Sequence, residues 1–386
     1  MNHPEAHPPK RAVRIAIATS GRFHVLDLAR ELAELGHDVC FYSMLPDSRA
    51  EAFGLDSRRH RSLLPYVAPF AGLQRYAPRF IPELRDRLMS NMLDRAVESV
   101  LEPCDVFIAM SGIFVRALRF ARQKYGAKIW VERGSRHILS QAEILAAAPG
   151  ARGPAENVIA RELEAYRLAD RIVVPSRHVV DSFARDPAAY AKLFVNPYGT
   201  KLDMFPYRAR ERAIGPLRLL FVGAWSRRKG CDVLEKAVRG SEGISLRHVG
   251  NIGDLPFPGL SSEFEHFDPV PQPQLNSFYH GSAACVLASR EDGFGMVLGQ
   301  ALATGLPIIC TDRTGGEDLR HTAALQDRIT IVPHDDVDAL RRAIEALRQR
   351  LSAGPQFAPL SDDDLATLAW PAYAVRYEKE LLTYVP

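Results

Sequence analysis

Cysteine is scarce in this chain of 386 residues: five, at positions 40, 104, 231, 285 and 310, odd in number and with no Cys-x-x-Cys pair. That excludes a disulfide-stapled scaffold, and the thiols that fall inside apolar runs read as buried groups in a reducing cytoplasm. Nowhere do 18 apolar residues follow one another, so the sequence offers no membrane-spanning helix. Residues 1–14 are polar, carry His and Pro, and lack the apolar run of a secretory signal. A dominant charge is missing too: 49 Lys and Arg against 46 Asp and Glu leave +3, too little to recommend nucleic acid as a partner. No set of His, Cys and carboxylates has metal-ligand spacing, so no metal is expected. What is present is ordinary for a soluble globular protein, 47% hydrophobic and 25% charged, in a chain long enough for two cores.

The first half opens on Val13–Ala18, a run that reads as a buried strand. Ser20-Gly21 breaks it, Leu28, Leu32 and Leu35 fall at helical spacing, and Val39–Ser43 reads as the next strand. Strand, helix, strand within about thirty residues is a βαβ unit and implies a parallel sheet. The pattern recurs at 105–132 and 156–175. Asn196-Pro197-Tyr198-Gly199 and Phe205-Pro206-Tyr207 punctuate the middle, where a linker is expected. Strands then follow at 217–223, 245–250, 284–288, 307–311 and 329–332, and a last helix is expected from Ser361 to about Leu382. The fold class is α/β: two Rossmann-like parallel-sheet domains.

Two loops carry chemistry. Glu291-Asp292-Gly293-Phe294-Gly295 follows a buried strand and enters a helix at Met296. Glycines let backbone approach a ligand, and the helix start offers free amides and a positive dipole end to an anion, most simply a phosphate. Asp292 and Gln300, eight residues apart, bring a carboxylate and an amide suited to sugar or ribose hydroxyls. The second loop, Ala224-Trp225-Ser226-Arg227-Arg228-Lys229-Gly230, sets three cations and a glycine at the C-terminal end of the strand ending at Gly223, where a diphosphate is held in an open α/β sheet. Either loop alone could be a mere connection. Both in one half favour a ligand.

These residues resemble the donor domain of retaining GT-B glycosyltransferases of the family 4, group 1 type. The family carries Glu-Gly-Phe-Gly…Glu-Ala and Gly-Arg…Lys-Gly segments, and Gly293-Phe294-Gly295, Lys229, Pro175-Ser176 and Trp370 match its pattern. The resemblance implies two facing domains across a cleft: a flexible N-terminus at 1–11, an acceptor-side domain at 12–200, a donor-binding domain at 201–365, and a helix at 366–386 returning to the first domain. It implies that Asp292 holds the donor sugar, Gln300 the ribose, Lys229 the diphosphate, and the Met296 and Val297 amides the phosphates. Gly21, Arg22 and His24 would face the acceptor beside Ser135, with Arg133 or His137 near the reacting sugar. Three positions depart from the pattern: Asp292 and Gln300 replace glutamates, and Ala224 stands at the usual arginine, leaving Arg227 or Arg228 to supply that cation.

The activity implied is transfer of a sugar from a nucleotide diphosphate sugar, a UDP- or GDP-sugar first, to a hydroxyl of a glycan or lipid-linked acceptor, with no further cofactor. The setting implied is polysaccharide, lipopolysaccharide or glycolipid synthesis in the cytoplasm. Positive charge favours the first 200 residues, with 28 Lys and Arg against 22 acids, and residues 57–95 hold eight arginines among large apolar side chains. That segment could meet an anionic membrane surface, or be a packed helical pair with prolines limiting its helices. A non-catalytic nucleotide-sugar binder is the alternative. An NAD-dependent oxidoreductase is weaker, because Gly293-x-Gly295-x3-Gly299 has the wrong spacing for a dinucleotide fingerprint.

Overall fold

The computed structural model describes residues 12–68, 82–148, 150–151, 153–208, 216–353 and 357–385. The N-terminal 1–11 and residues 69–81 of the 57–95 segment, with Phe70, Leu73, Tyr76 and Phe80, lie outside the described residues.

Two parallel sheets organise the chain. The first runs β3-β2-β1-β4-β5-β6-β7, built from β1 (Arg14–Ala18), β2 (Asp38–Ser43), β3 (His60–Ser62), β4 (Val106–Met110), β5 (Lys128–Glu132), β6 (Arg171–Val174) and β7 (Leu193–Val195). The second runs β10-β9-β8-β11-β12-β13, from β8 (Leu217–Val222), β9 (Ile244–Val249), β10 (Phe264–Phe267), β11 (Ala284–Leu287), β12 (Ile308–Thr311) and β13 (Ile329–Val332). Central strands such as β4 and β11 are apolar throughout because helices cover both faces of a parallel sheet. The expected α/β class with two Rossmann-like sheets is what the structure shows.

Strands β3, β7 and β10 were not anticipated. His60-Arg61-Ser62 and Phe264-Glu265-His266-Phe267 are short, polar-interrupted edge strands whose pairing comes from the neighbour, not from their own hydrophobicity. The limit that proline sets on helices in 57–95 also fails in part: Pro82–Val100 is one helix of 19 residues. Pro82 takes the first helical position, where its missing N–H costs nothing. The expected single terminal helix is two, Asp362–Thr367, capped by a Ser361/Asp364 capping box, and Trp370–Leu381.

The chain divides into two compact units: Met1–Glu132, Glu156–Ile172 and Arg376–Pro386 form one, Arg133–Ala155 and Val173–Val375 the other. In the first unit the fully buried Glu132 carboxylate accepts from the Tyr377 hydroxyl at 2.8 Å and bonds His24 Nε2 at 2.9 Å. His37 joins Glu378 at 2.8 Å, so the last helix is tied to the first strands. Among the described residues no helix is long and apolar enough to cross a membrane.

Candidate functional site

The site is built in the second unit, on loops that leave the C-terminal ends of β8 and β11. Glycine makes their approach possible. Gly230 has φ 64°, and a Cβ there would stand 1.9 Å from the Ala288 carbonyl oxygen. A Cβ on Gly293 would stand 1.8 Å from the Gly134 carbonyl oxygen. No side chain fits either place, so the two cation-and-acid loops and the loop after β5 close onto one another.

Hydrogen bonds then lock them. The Arg228 carbonyl accepts from the Arg290 amide at 3.0 Å, and Arg290 Nη1 donates to the Arg227 carbonyl at 2.7 Å. Arg290 also holds Asp232 and Asp335, each at 2.6 Å, bracing the basic loop from behind. Gly293 offers its carbonyl to the Ser176 hydroxyl at 2.6 Å and to His178 Nε2 at 3.2 Å. Burial, then the nearby Arg136, pulls His178 down to about 4, so it donates as a neutral ring.

Side chains of opposite sign meet on this frame. Lys229 Nζ pairs with Asp292, and Arg228 Nε pairs with Glu291 at 2.6 Å. Burial alone would push the Asp292 carboxyl up, but Lys229 and Arg228 outweigh it and hold it below its ordinary value. The same contest, with Arg228 and the Ser135 hydroxyl on the charged side, keeps Glu291 low. Gly295, at φ 81°, starts the helix Met296–Ala303 and brings no capping side chain, so the Met296 and Val297 amides open the helix beside these charges. Four helical positions on, Gln300 is buried, with Oε1 accepting from the Tyr279 hydroxyl at 2.8 Å.

The remaining expected residues fall into two groups. Ser135, expected on the acceptor side, donates to the Glu291 carboxylate. Arg133 is buried and donates to the Arg136 carbonyl at 2.6 Å and Gln141 Oε1 at 2.8 Å, shaping that same loop. His137 caps the helix Ile138–Ala147 by accepting from the Leu139 amide at 3.3 Å, and burial pulls its imidazole down to about 4. Gly21, Arg22 and His24 belong to the first unit. Arg22 lies 3.9 Å above the Phe53 ring, and His24 is committed to Glu132. Glu291, Arg290 and His178 were not singled out from sequence. One signal was available for Glu291: the adjacent cations Arg228-Lys229 have an adjacent acidic counterpart, Glu291-Asp292.

The family described as "Glycosyl transferases group 1" matches residues 216–350, and "Glycosyl transferase 4-like domain" matches 21–199. A D-inositol 3-phosphate glycosyltransferase of Nocardiopsis dassonvillei is 27% identical over 277 residues, 61% of either chain. Another, of Nocardioides sp., is 24% identical over 383 residues, covering 86% of this chain and 79% of its own. The chain spans about three-fifths of the length of the first relatives it matches, 61% for N. dassonvillei and 57% for Thermobifida fusca. Among solved structures, sucrose-phosphate synthase from Thermosynechococcus elongatus superposes with a TM-score of 0.67 at 18% identity, over 97% of this chain and 99% of that one. HepE of Anabaena in complex with UDP-glucose gives 0.63 at 12% identity, over 96% and 100%.

Proposed function

We propose that this chain, which belongs to the group 1 glycosyltransferases of GT-B fold, transfers a sugar from a nucleotide diphosphate sugar to an acceptor hydroxyl with retention of configuration. The observation that carries the reading is the paired array Arg228-Lys229 and Glu291-Asp292 beside the uncapped amides of the helix at Met296. The cations are neutralised by carboxylates of the same site. An arriving diphosphate draws on both cations, and the charge growing on the leaving group is met by groups already in place. The diphosphate's own oxygen then receives the acceptor proton.

In this reading Asp292 holds sugar hydroxyls and Gln300, with Oε1 engaged by Tyr279, offers its amide NH2 to the ribose. Arg133 and His137 act by shaping the loop that carries Ser135. UDP-glucose in the Anabaena neighbour favours uridine as the first base to try. The relatives named for D-inositol 3-phosphate support trying a polyol phosphate as acceptor, besides glycan and lipid-linked hydroxyls. Residues 57–95 would serve the lipid-linked class by meeting an anionic surface from the cytoplasmic side. The altered motif acids favour one rival, a nucleotide-sugar binder without turnover.

The test is Lys229→Ala. Losing one charge-assisted phosphate contact is worth about 1.5–3 kcal/mol, so donor use and nucleoside diphosphate affinity should fall roughly ten- to a hundredfold, with a lowered melting temperature because Asp292 keeps only Arg228 to offset its charge. Wild-type affinity in the variant, or a wild-type protein that thermal shift shows stabilised by none of UDP, GDP and ADP, would overturn the reading. Binding with no turnover across a donor panel would select the rival.

A further inference from the structure

Ala224 leaves the basic loop without the arginine usual in such loops, and two neighbours are candidates to replace it. The structure separates them. Among the described residues the Arg227 side chain makes no bond to either acid: a Cβ on Gly150 would stand 3.2 Å from its Nε, which is buried without a hydrogen-bond partner. Arg228 lies on the acid pair and keeps 38% of its side chain exposed. Its bond to Glu291 is made through Nε, and among the described residues its two terminal nitrogens have no hydrogen-bond partner.

Glu291 itself is fully buried and its carboxylate is spent on four donors. Oε1 accepts from the Ser135 hydroxyl and the Arg136 amide, and Oε2 from Arg228 Nε at 2.6 Å and Gln141 Nε2 at 3.3 Å. A carboxylate so enclosed has no capacity left for a sugar or a proton transfer. It can fix an orientation, because a guanidinium is planar and anchoring Nε sets the direction of both terminal nitrogens.

We infer that Glu291 is a positioning residue: it holds Arg228 by Nε so that the two terminal nitrogens grip the diphosphate of the nucleotide sugar beside Lys229. This rests on the proposed function. The two cations then differ in kind. Lys229 must leave Asp292 to meet phosphate, whereas Arg228 binds without leaving Glu291. A lysine at 228 would spend its ammonium on Glu291 and have little left for the ligand.

UDP, GDP and ADP titrated calorimetrically against the full chain test this, with Lys229→Ala as reference. Glu291→Gln keeps the shape, loses the charge and turns an amide NH2 towards two of the four donors, so it should lower the melting temperature and weaken diphosphate binding about tenfold. Arg228→Met should cost at least as much, and Arg228→Lys should be no better than Arg228→Met. The double variant Glu291→Gln, Arg228→Met should be no weaker than Arg228→Met alone, since Glu291 acts through Arg228. Additive losses, or full rescue by Arg228→Lys, would overturn the inference. If Lys229→Ala loses binding while Glu291→Gln does not, the inference falls alone. If the wild-type protein binds no nucleotide, the proposed function falls and takes it along.

Discussion

Asp292 and Gln300 occupy positions with separable tasks, and the geometry sharpens how each should fail. Gln300→Ala removes the amide proposed to meet the ribose, so the free nucleoside diphosphate and the intact donor should weaken together. Asp292→Ala removes the proposed sugar contact but also frees Lys229, which is its partner here. Donor use should therefore drop sharply while nucleoside diphosphate affinity is kept or improves. Side-by-side titration with nucleotide and donor kinetics decides it, and equal losses of nucleotide affinity in both variants would refute the split. Lys229, Asp292 and the glycines were legible in sequence because short loops at strand ends keep chemistry local. Glu291 was not. Its meaning depends on Ser135 and Gln141, some 150 residues away along the chain.

Loops that carry the charges hold their shape by backbone contact rather than by side-chain packing. A Cβ on Gly293 would meet the Gly134 carbonyl oxygen at 1.8 Å and the Ser135 amide at 3.0 Å, and neither is the yielding end of a flexible side chain. Gly293→Ala should thus push the acid loop off the loop after β5, costing about 1–3 kcal/mol of stability and most of the nucleotide affinity. Gly153→Ala, where an added Cβ meets nothing within 4 Å, is the matched control and should be silent in both. A melt in which the two variants coincide would show that the loops separate freely. Buried strands were legible for a related reason: β1, β4, β8 and β11 are apolar because of where they sit in their sheets. Edge strands β3 and β10 owe their pairing to a neighbour, and no pattern of their own announces it.

Charge that the fold refuses to carry governs how the molecule as a whole answers to acid. Burial pulls His137, His178 and His248 each from an ordinary 6.5 to about 4, the last despite its bond to the Gly223 carbonyl at 2.9 Å and with the nearby His266 adding to the pull. Between those values an unfolded chain binds protons that the folded one rejects, so each of these histidines costs stability as the pH falls from about 6.5 towards 4. Asp318 works the other way. Burial raises its carboxyl from 3.8 to about 6 despite the Arg177 amide bound to it at 3.0 Å. The folded state therefore takes up that proton first, and acidification across the same window favours folding at this one site. Asp94, also raised by burial, sides with Asp318, but the three histidines, joined by Asp292, Glu291 and Asp232 held low by their cations, outweigh the pair and predict a melting temperature that falls from pH 6.5 to pH 4.5. His248→Gln removes one of the three and should flatten the decline. Asp318→Asn removes one of the opposing pair and should steepen it. Calorimetric melts of the wild type and both variants across this window check the balance, and parallel curves for all three would mean that these groups titrate alike in the folded and unfolded chains.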